Sequence, residues 1–245
     1  MLKIENLCKV FPLHNSSEKK IFDGFSLEAC SGDFITIIGG NGAGKSTLMN
    51  LIAGSIFPDS GKIYIDNKDM TYVAEYKRAK LIGRVFQDPL KGTAPNLTIE
   101  ENLSLSLIRH SKKNLKQSIN KKSYEIFKEK LLALNLGLED RLKTKVGLLS
   151  GGQRQALTLL MATIVQPKVL LLDEHTAALD PKSRDNILNL TDKITKNSKM
   201  ITLMITHNME HALSLGNRTI MVDSGKIKKD IKGDQRKTIS FDFED

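Results

Sequence analysis

Apolar residues in this chain come in short runs whose spacing alternates between the strand and the helix period. Leu2–Val10 and Phe25–Ala29 read as short strands, separated by a polar stretch, His14–Lys20, that reads as a loop. Gly32 and Asp33 mark a turn into Phe34–Ile38, a run rich in branched residues that suits a strand buried on both faces. Lys45–Ala53 is helical in pattern, with Leu48, Leu51 and Ile52 on one face and Gly54 as its stop. Lys62–Ile65 and Leu81–Phe86 are further strands. From Thr98 to about Leu148 the character changes to a charged, helical stretch, with Ile99, Asn102, Leu103 and then Ile126, Phe127, Leu131, Leu134 at helical spacing. Strand–helix alternation then resumes: a helix after Gly152, a strand at Val169–Leu172, a helix at Ser183–Ile194, a strand at Met200–Ile205 and a helix at Asn208–Leu215. A hairpin of Thr219–Val222 and Lys226–Lys229 turns at Ser224-Gly225. Strands alternating with helices imply a mostly parallel sheet covered on both faces, interrupted by an inserted helical lobe.

Length and composition allow this and narrow the class. The 245 residues suffice for one large α/β domain, and 40% hydrophobic and 27% charged residues are ordinary for a globular chain. Apolar runs such as Phe34–Ile38 are far shorter than the roughly 20 residues needed to cross a bilayer. Met1–Asn6 has no apolar core of a secretory signal, so a cytoplasmic location is expected. Cys8 and Cys30 lie in no metal-binding or redox spacing and are read as ordinary thiols. The net charge of +9 is spread along the chain, with one local excess at Arg109–Lys122, read as a solvated face. No nucleic-acid partner is expected.

The candidate chemistry starts at Gly39-Gly40-Asn41-Gly42-Ala43-Gly44-Lys45-Ser46, which fits G-x-x-x-x-G-K-[ST] between a strand and a helix. Glycines let backbone N–H groups turn inward around phosphates. The following helix aims its first N–H groups and positive dipole end at the same point. Lys45 adds a full charge for the β- and γ-phosphates, the Ser46 hydroxyl is placed for Mg²⁺, and Thr47 can add a donor to the α-phosphate.

Val169–Leu172 ends in Asp173-Glu174, and in a parallel sheet ligands bind beyond the carboxyl ends of strands. Asp173 suits Mg²⁺. Glu174, next along, suits orienting and polarising an attacking water, and this second acid points to hydrolysis beyond binding. His207 follows the strand Met200–Ile205, where it could hydrogen-bond a γ-phosphate. Gln87 follows Leu81–Phe86 and could reach the metal or the water.

Leu149-Ser150-Gly151-Gly152-Gln153 separates one family of phosphate-loop ATPases from the rest. Physically, Ser150 with the backbone of Gly151 and Gly152 forms a second anion cradle at a helix N-terminus. A second cradle makes sense if it grips the γ-phosphate of ATP held by another subunit. On this pentapeptide, the loop Gly39–Ser46 and Asp173-Glu174, the whole chain resembles the ATP-binding cassette (ABC) ATPases. The resemblance implies a phosphate-loop NTPase (RecA-like) core, an α/β fold with a parallel sheet and N-terminal antiparallel strands, plus an inserted helical subdomain. It implies a single ABC ATPase domain over 1–245. Residues 1–87 and 152–230 would form the core, 88–151 the helical subdomain with the signature motif, and 231–245 a tail. It makes Phe11 the adenine-stacking aromatic, Gln87 the glutamine joining core to lobe, and His207 the switch histidine. Nucleotide contacts would come from Gly39, Asn41, Gly42, Ala43, Gly44, Lys45, Ser46 and Thr47, and from Ser150, Gly151, Gly152, Gln153 and Asp180. Ser46, Gln87 and Asp173 would hold Mg²⁺. Ala177-Ala178-Leu179-Asp180 resembles a loop usually read S-A-L-D; Ala177 departs, and a hydroxyl contact there is missing.

Within the family, the stretches Gly83–Leu103, Leu172–Pro181 and Thr202–Ala212 resemble the ATPase component of bacterial uptake systems, several of them associated with tryptophan or tyrosine. That implies an ATP-hydrolysing subunit working as a head-to-tail dimer at the cytoplasmic face of the membrane. Its partners would be permease subunits and an extracytoplasmic substrate-binding protein. An exporter subunit or a soluble cluster-assembly ATPase would use the same ATP-site residues; the segment Asp88–Leu103 is what favours an importer.

Overall fold

The computed structural model describes residues 1–12, 18–108, 121–196 and 198–237. The basic stretch Arg109–Lys122 and most of the 231–245 tail thus lie outside the described residues, apart from the backbone at 121–122 and the tail's beginning. The chain divides into two compact units, Met1–Arg78 with Lys199–Asp245, and Ala79–Ser198.

The first unit carries two sheets. One is antiparallel, in the order β2 (Glu18–Ala29), β1 (Leu2–Pro12), β4 (Ser60–Ile65), β5 (Lys68–Asp69). In β1 the buried positions switch parity, Leu2 and Ile4 and then Leu7. A register shift between Ile4 and Leu7 accomplishes this, with Asn6 in the left-handed region at φ 48°. β2 begins at Glu18, so Glu18–Lys20, read from sequence as loop, is strand. It is an edge strand, where lysines are tolerated because one side of the ladder faces water.

The other sheet of this unit runs β10 (Lys226–Lys232), β9 (Arg218–Asp223), β3 (Phe34–Ile38), β8 (Ile201–Ile205). β3 pairs parallel with both β8 and β9, and all five of its residues are buried. The hairpin β9–β10 is antiparallel. Helix α1 (Lys45–Ala53) follows β3, and a short helix α2 (Glu75–Arg78) ends the first segment of the unit. Arg78 is fully buried. Its guanidinium donates to Leu51 O at 2.8 Å and Ile52 O at 2.7 Å, capping the C-terminal end of α1, and to Val73 O at 2.7 Å and Thr71 O at 3.0 Å.

The second unit contains the parallel pair β6 (Ile82–Val85) and β7 (Val169–Asp173). Its helices are α3 (Ile99–Ile108), α4 (Lys121–Leu132), α5 (Gly151–Thr163) and α6 (Pro181–Thr195). They share one apolar core that includes Leu103, Phe127, Leu131, Leu157 and Ile187. A reciprocal capping box starts α3: Thr98 N donates to Glu101 Oε2 at 2.7 Å and Glu101 N to Thr98 Oγ1 at 3.3 Å. The stretch expected to be helical as far as Leu148 leaves helix at Leu132. Asn135 at φ 55° and Gly137 at φ 66° break it, and the chain reaches Ser150 through turns, a bridge from Thr98 to Lys145 and one 3-10 turn. Among the described residues no helix is long and apolar enough to cross a membrane.

Candidate functional site

In the first unit the glycine-rich loop sits between the buried end of β3 and the start of α1. Gly39 takes φ 151°, and a Cβ there would stand 2.0 Å from Val222 O on β9. Gly44, the N-cap of α1, takes φ 102°, and a Cβ would press on the Phe22 ring at 2.8 Å. Both positions therefore require glycine for space and for conformation. Gly44 brings no side-chain cap to the first turn of α1, which is the geometry by which a helix start receives an anion. The Lys45 side chain is buried and curls over the loop, donating to Gly39 O at 2.7 Å and Gly40 O at 2.9 Å. Its ammonium is thus held at the loop itself. Asn41, Gly42 and Ser46 are exposed, Ala43 is buried and Thr47 half-buried.

Phe11, half-buried near the end of β1, pairs across the ladder with Lys19 of β2 and lies under Lys9 Nζ, 5.3 Å from the ring centroid. The Lys19 ammonium reaches the loop, 3.7 Å from where a Cβ on Gly42 would stand. Sequence reasoning missed this cation because it placed Lys19 in a loop. The apolar pair Ile21-Phe22, lying between it and the strand run Phe25–Ala29, was the available signal. His207 lies two residues beyond β8 and is exposed. Asn208 follows as the N-cap of helix α7 (Met209–Ser214), accepting from His211 N at 2.9 Å. Arg236 holds the other end of α7, donating to Ala212 O and Leu213 O at 2.8 Å each and to the carbonyls of Leu215 and Gly216.

In the second unit the two acids stand at the end of β7 as the sequence placed them. The Asp173 carboxylate is 18% exposed and 3.9 Å from the Arg84 guanidinium, which itself stacks over Phe86 with 4.6 Å to the ring centroid. Glu174 adopts the left-handed conformation, φ 46°. For a residue with a side chain that costs about 1–2 kcal/mol, so the neighbours must impose it. The next residue shows how. His175 is buried, with Nε2 3.1 Å from Thr191 Oγ1 and its carbonyl accepting from Gln155 Nε2 at 2.6 Å. Burial pushes the His175 imidazole down to about 4, so it is neutral at physiological pH. Gln87 is exposed just beyond β6.

The signature segment starts α5. Ser150 is its N-cap in a full capping box: Gln153 N donates to Ser150 Oγ at 3.2 Å, and Ser150 N to Gln153 Oε1 at 3.3 Å. Gln153 Nε2 also donates to Leu136 O at 3.4 Å. Gly151 is exposed and Gly152 buried, and a Cβ on Gly152 would meet Ser183 Oγ at 2.7 Å. Asp180 caps α6, accepting from Ser183 N at 3.0 Å, and hydrogen bonding from the Ser183 hydroxyl and then its backbone N–H holds the carboxyl below the usual carboxylate range. Asp180 thus has a structural duty in addition to the interface contact expected of it.

A family profile described as ABC transporter matches residues 22–177. A tyrosine transport ATP-binding protein of Clostridioides difficile is 46% identical over 243 residues, covering 99% of this chain and 96% of the relative. A thiamine import ATP-binding protein of Haemophilus influenzae is 34% identical, covering 85% of this chain and 92% of the relative. Among solved structures, a dimeric ATP-binding cassette in a post-hydrolysis state bound to ADP and Pi superposes with a TM-score of 0.80. It is 28% identical and covers 95% of this chain and 98% of its own.

Proposed function

The chain belongs to the ABC transporter family as an ATP-binding, ATP-hydrolysing transporter subunit, and on that premise we propose that it powers uptake of an amino acid of the tyrosine and tryptophan class. The observation that carries this reading is the match to a tyrosine transport ATP-binding protein along nearly the whole of both chains. The thiamine import relative matches at lower identity and over less of this chain.

The proposed division of labour follows from the chemistry of each residue. Phe11 stacks on adenine. The loop Gly39–Thr47 wraps the phosphates, Lys45 supplies its charge to the β- and γ-phosphates, and Lys19 adds a cation at the flank of the loop. Ser46, Asp173 and Gln87 offer hydroxyl, carboxylate and amide oxygens, the hard donors Mg²⁺ takes when it is shared with substrate phosphates. Ser46 is exposed and the Asp173 carboxylate partly so, which fits a bound ion. When bound, Mg²⁺ would neutralise charge on the phosphates. Glu174 accepts a proton from the attacking water, and His207 hydrogen-bonds the phosphoryl group as the bond to ADP breaks. ATP and water become ADP and phosphate.

Ser150, Gly151, Gly152, Gln153 and Asp180 serve the ATP of a second copy, in a head-to-tail dimer. The dimeric state of the solved ATP-binding cassette supports this arrangement. In the same reading, 88–151 is the helical subdomain of one ABC domain. The segment Asp88–Asn102, which exposes Leu90, passes the motion to a permease at the cytoplasmic face of the membrane, and a substrate-binding protein delivers the amino acid. In the host, Lys45→Ala is expected to reduce uptake of labelled tyrosine or tryptophan at least tenfold while leaving thiamine uptake unchanged. Unaltered aromatic amino-acid uptake would refute the assignment.

A further inference from the structure

Gln155 lies on α5, within two residues of the signature segment Ser150–Gln153, and is fully buried. Its side-chain amide is placed between two backbone carbonyls. Nε2 donates to Phe86 O at 3.2 Å and to His175 O at 2.6 Å. Both contacts require the nitrogen, because a carbonyl oxygen cannot accept from Oε1. They fix the amide's orientation although Oε1, among the described residues, is buried without a hydrogen-bond partner. A core position that leaves an acceptor unsatisfied is poorly explained by stability alone. The two carbonyls explain it better. Phe86 immediately precedes Gln87, and His175 immediately follows Glu174. One amide therefore ties together the ends of β6 and β7 at the two points where the chain leaves the strands for those residues. Arg84 stands near Asp173, and Thr191 meets the His175 ring; the Gln155 amide reaches the same segments from α5.

We propose that Gln155 is a positioning residue for hydrolysis, coupling the signature helix to the backbone that presents Gln87 and Glu174. A movement of α5, caused when Ser150 and Gly151–Gly152 engage an anion, pulls on both carbonyls together. The left-handed backbone at Glu174 is a conformation that such a hold can retain or release. The inference rests on the assignment of Glu174 as base, and it adds a route by which one ATP is sensed at the residues serving another.

The test is a double-mutant cycle on the full chain. Gln155→Met keeps the length and apolar contacts and removes both donors. It is expected to lower kcat about tenfold while the Kd for a fluorescent ATP analogue changes less than twofold. In a Glu174→Gln background the same change is expected to lower the residual rate less than twofold. A kcat equal to that of the unaltered chain, or a loss that simply multiplies with that of Glu174→Gln, overturns the proposal. If Gln155→Met fails to fold, Gln155→Leu carries the same test, since it also lacks the donors. Failure of the underlying functional reading is separable: there, Glu174→Gln by itself leaves kcat unchanged.

Discussion

Glu174→Gln is expected to leave ATP binding intact and to slow hydrolysis roughly 10²–10⁴-fold, or about 2.7–5.4 kcal/mol of barrier. Glutamine preserves the size of the side chain and much of its hydrogen bonding, so the loop Gly39–Thr47, proposed to hold the phosphates, is untouched. On the proposed role of Glu174, what is lost is the ability to take a proton from water as it attacks. The backbone supports a special duty at this residue: it alone between Asp173 and Ala178 takes a left-handed φ, while His175 beside it is pinned by ring and carbonyl. Binding of a fluorescent ATP analogue and release of phosphate, measured on one preparation, check the prediction. Near-normal turnover would remove Glu174 as the base.

Arg78→Met is expected to destabilise the protein by about 3–5 kcal/mol, because it leaves buried carbonyl acceptors without the guanidinium that satisfies them. Arg78 satisfies four backbone carbonyls, two of them at the end of α1. Each left buried and unsatisfied costs about 1–3 kcal/mol, which the thioether's packing and some entry of water offset only in part. In a chain of this size the loss corresponds to a fall in melting temperature of roughly 6–20 °C. ATP binding should weaken as well, because α1 carries the loop at its other end. Arg78→Lys should rescue little, since one ammonium cannot reach all four oxygens. Circular dichroism melts check the expectation, and a shift of under 2 °C would contradict it.

What was legible in the sequence was local. Gly39–Ser46, Leu149–Gln153 and Asp173-Glu174 are contiguous, and each occupies a strand end or helix start that short-range pattern reveals. The residues that hold those segments were not legible. Arg78 reaches carbonyls 26 and 27 positions away, and Gln155 joins residues 69 and 20 positions away. No period or motif marks such a pairing, and a buried Arg or Gln reads in sequence as a surface residue. Lys19 was hidden differently. Three consecutive charged residues, Glu18 to Lys20, look like loop until the edge position of β2 is known. The end of α4 was readable in principle, since Asn135 and Gly137 are the residue types that take a positive φ, but helical spacing at Leu131 and Leu134 outweighed them.

The central claim, that this ATPase drives a membrane transporter, is tested most directly by capture from the host's own membranes. Tagged Glu174→Gln chain, held with ATP and solubilised in mild detergent, should co-purify with a multi-spanning membrane protein in stoichiometric amount. On the proposed uptake function, a binding protein delivering to that partner should in turn take an aromatic amino acid. Recovery of soluble partners alone, repeated with intact membranes as the starting material, would contradict the account.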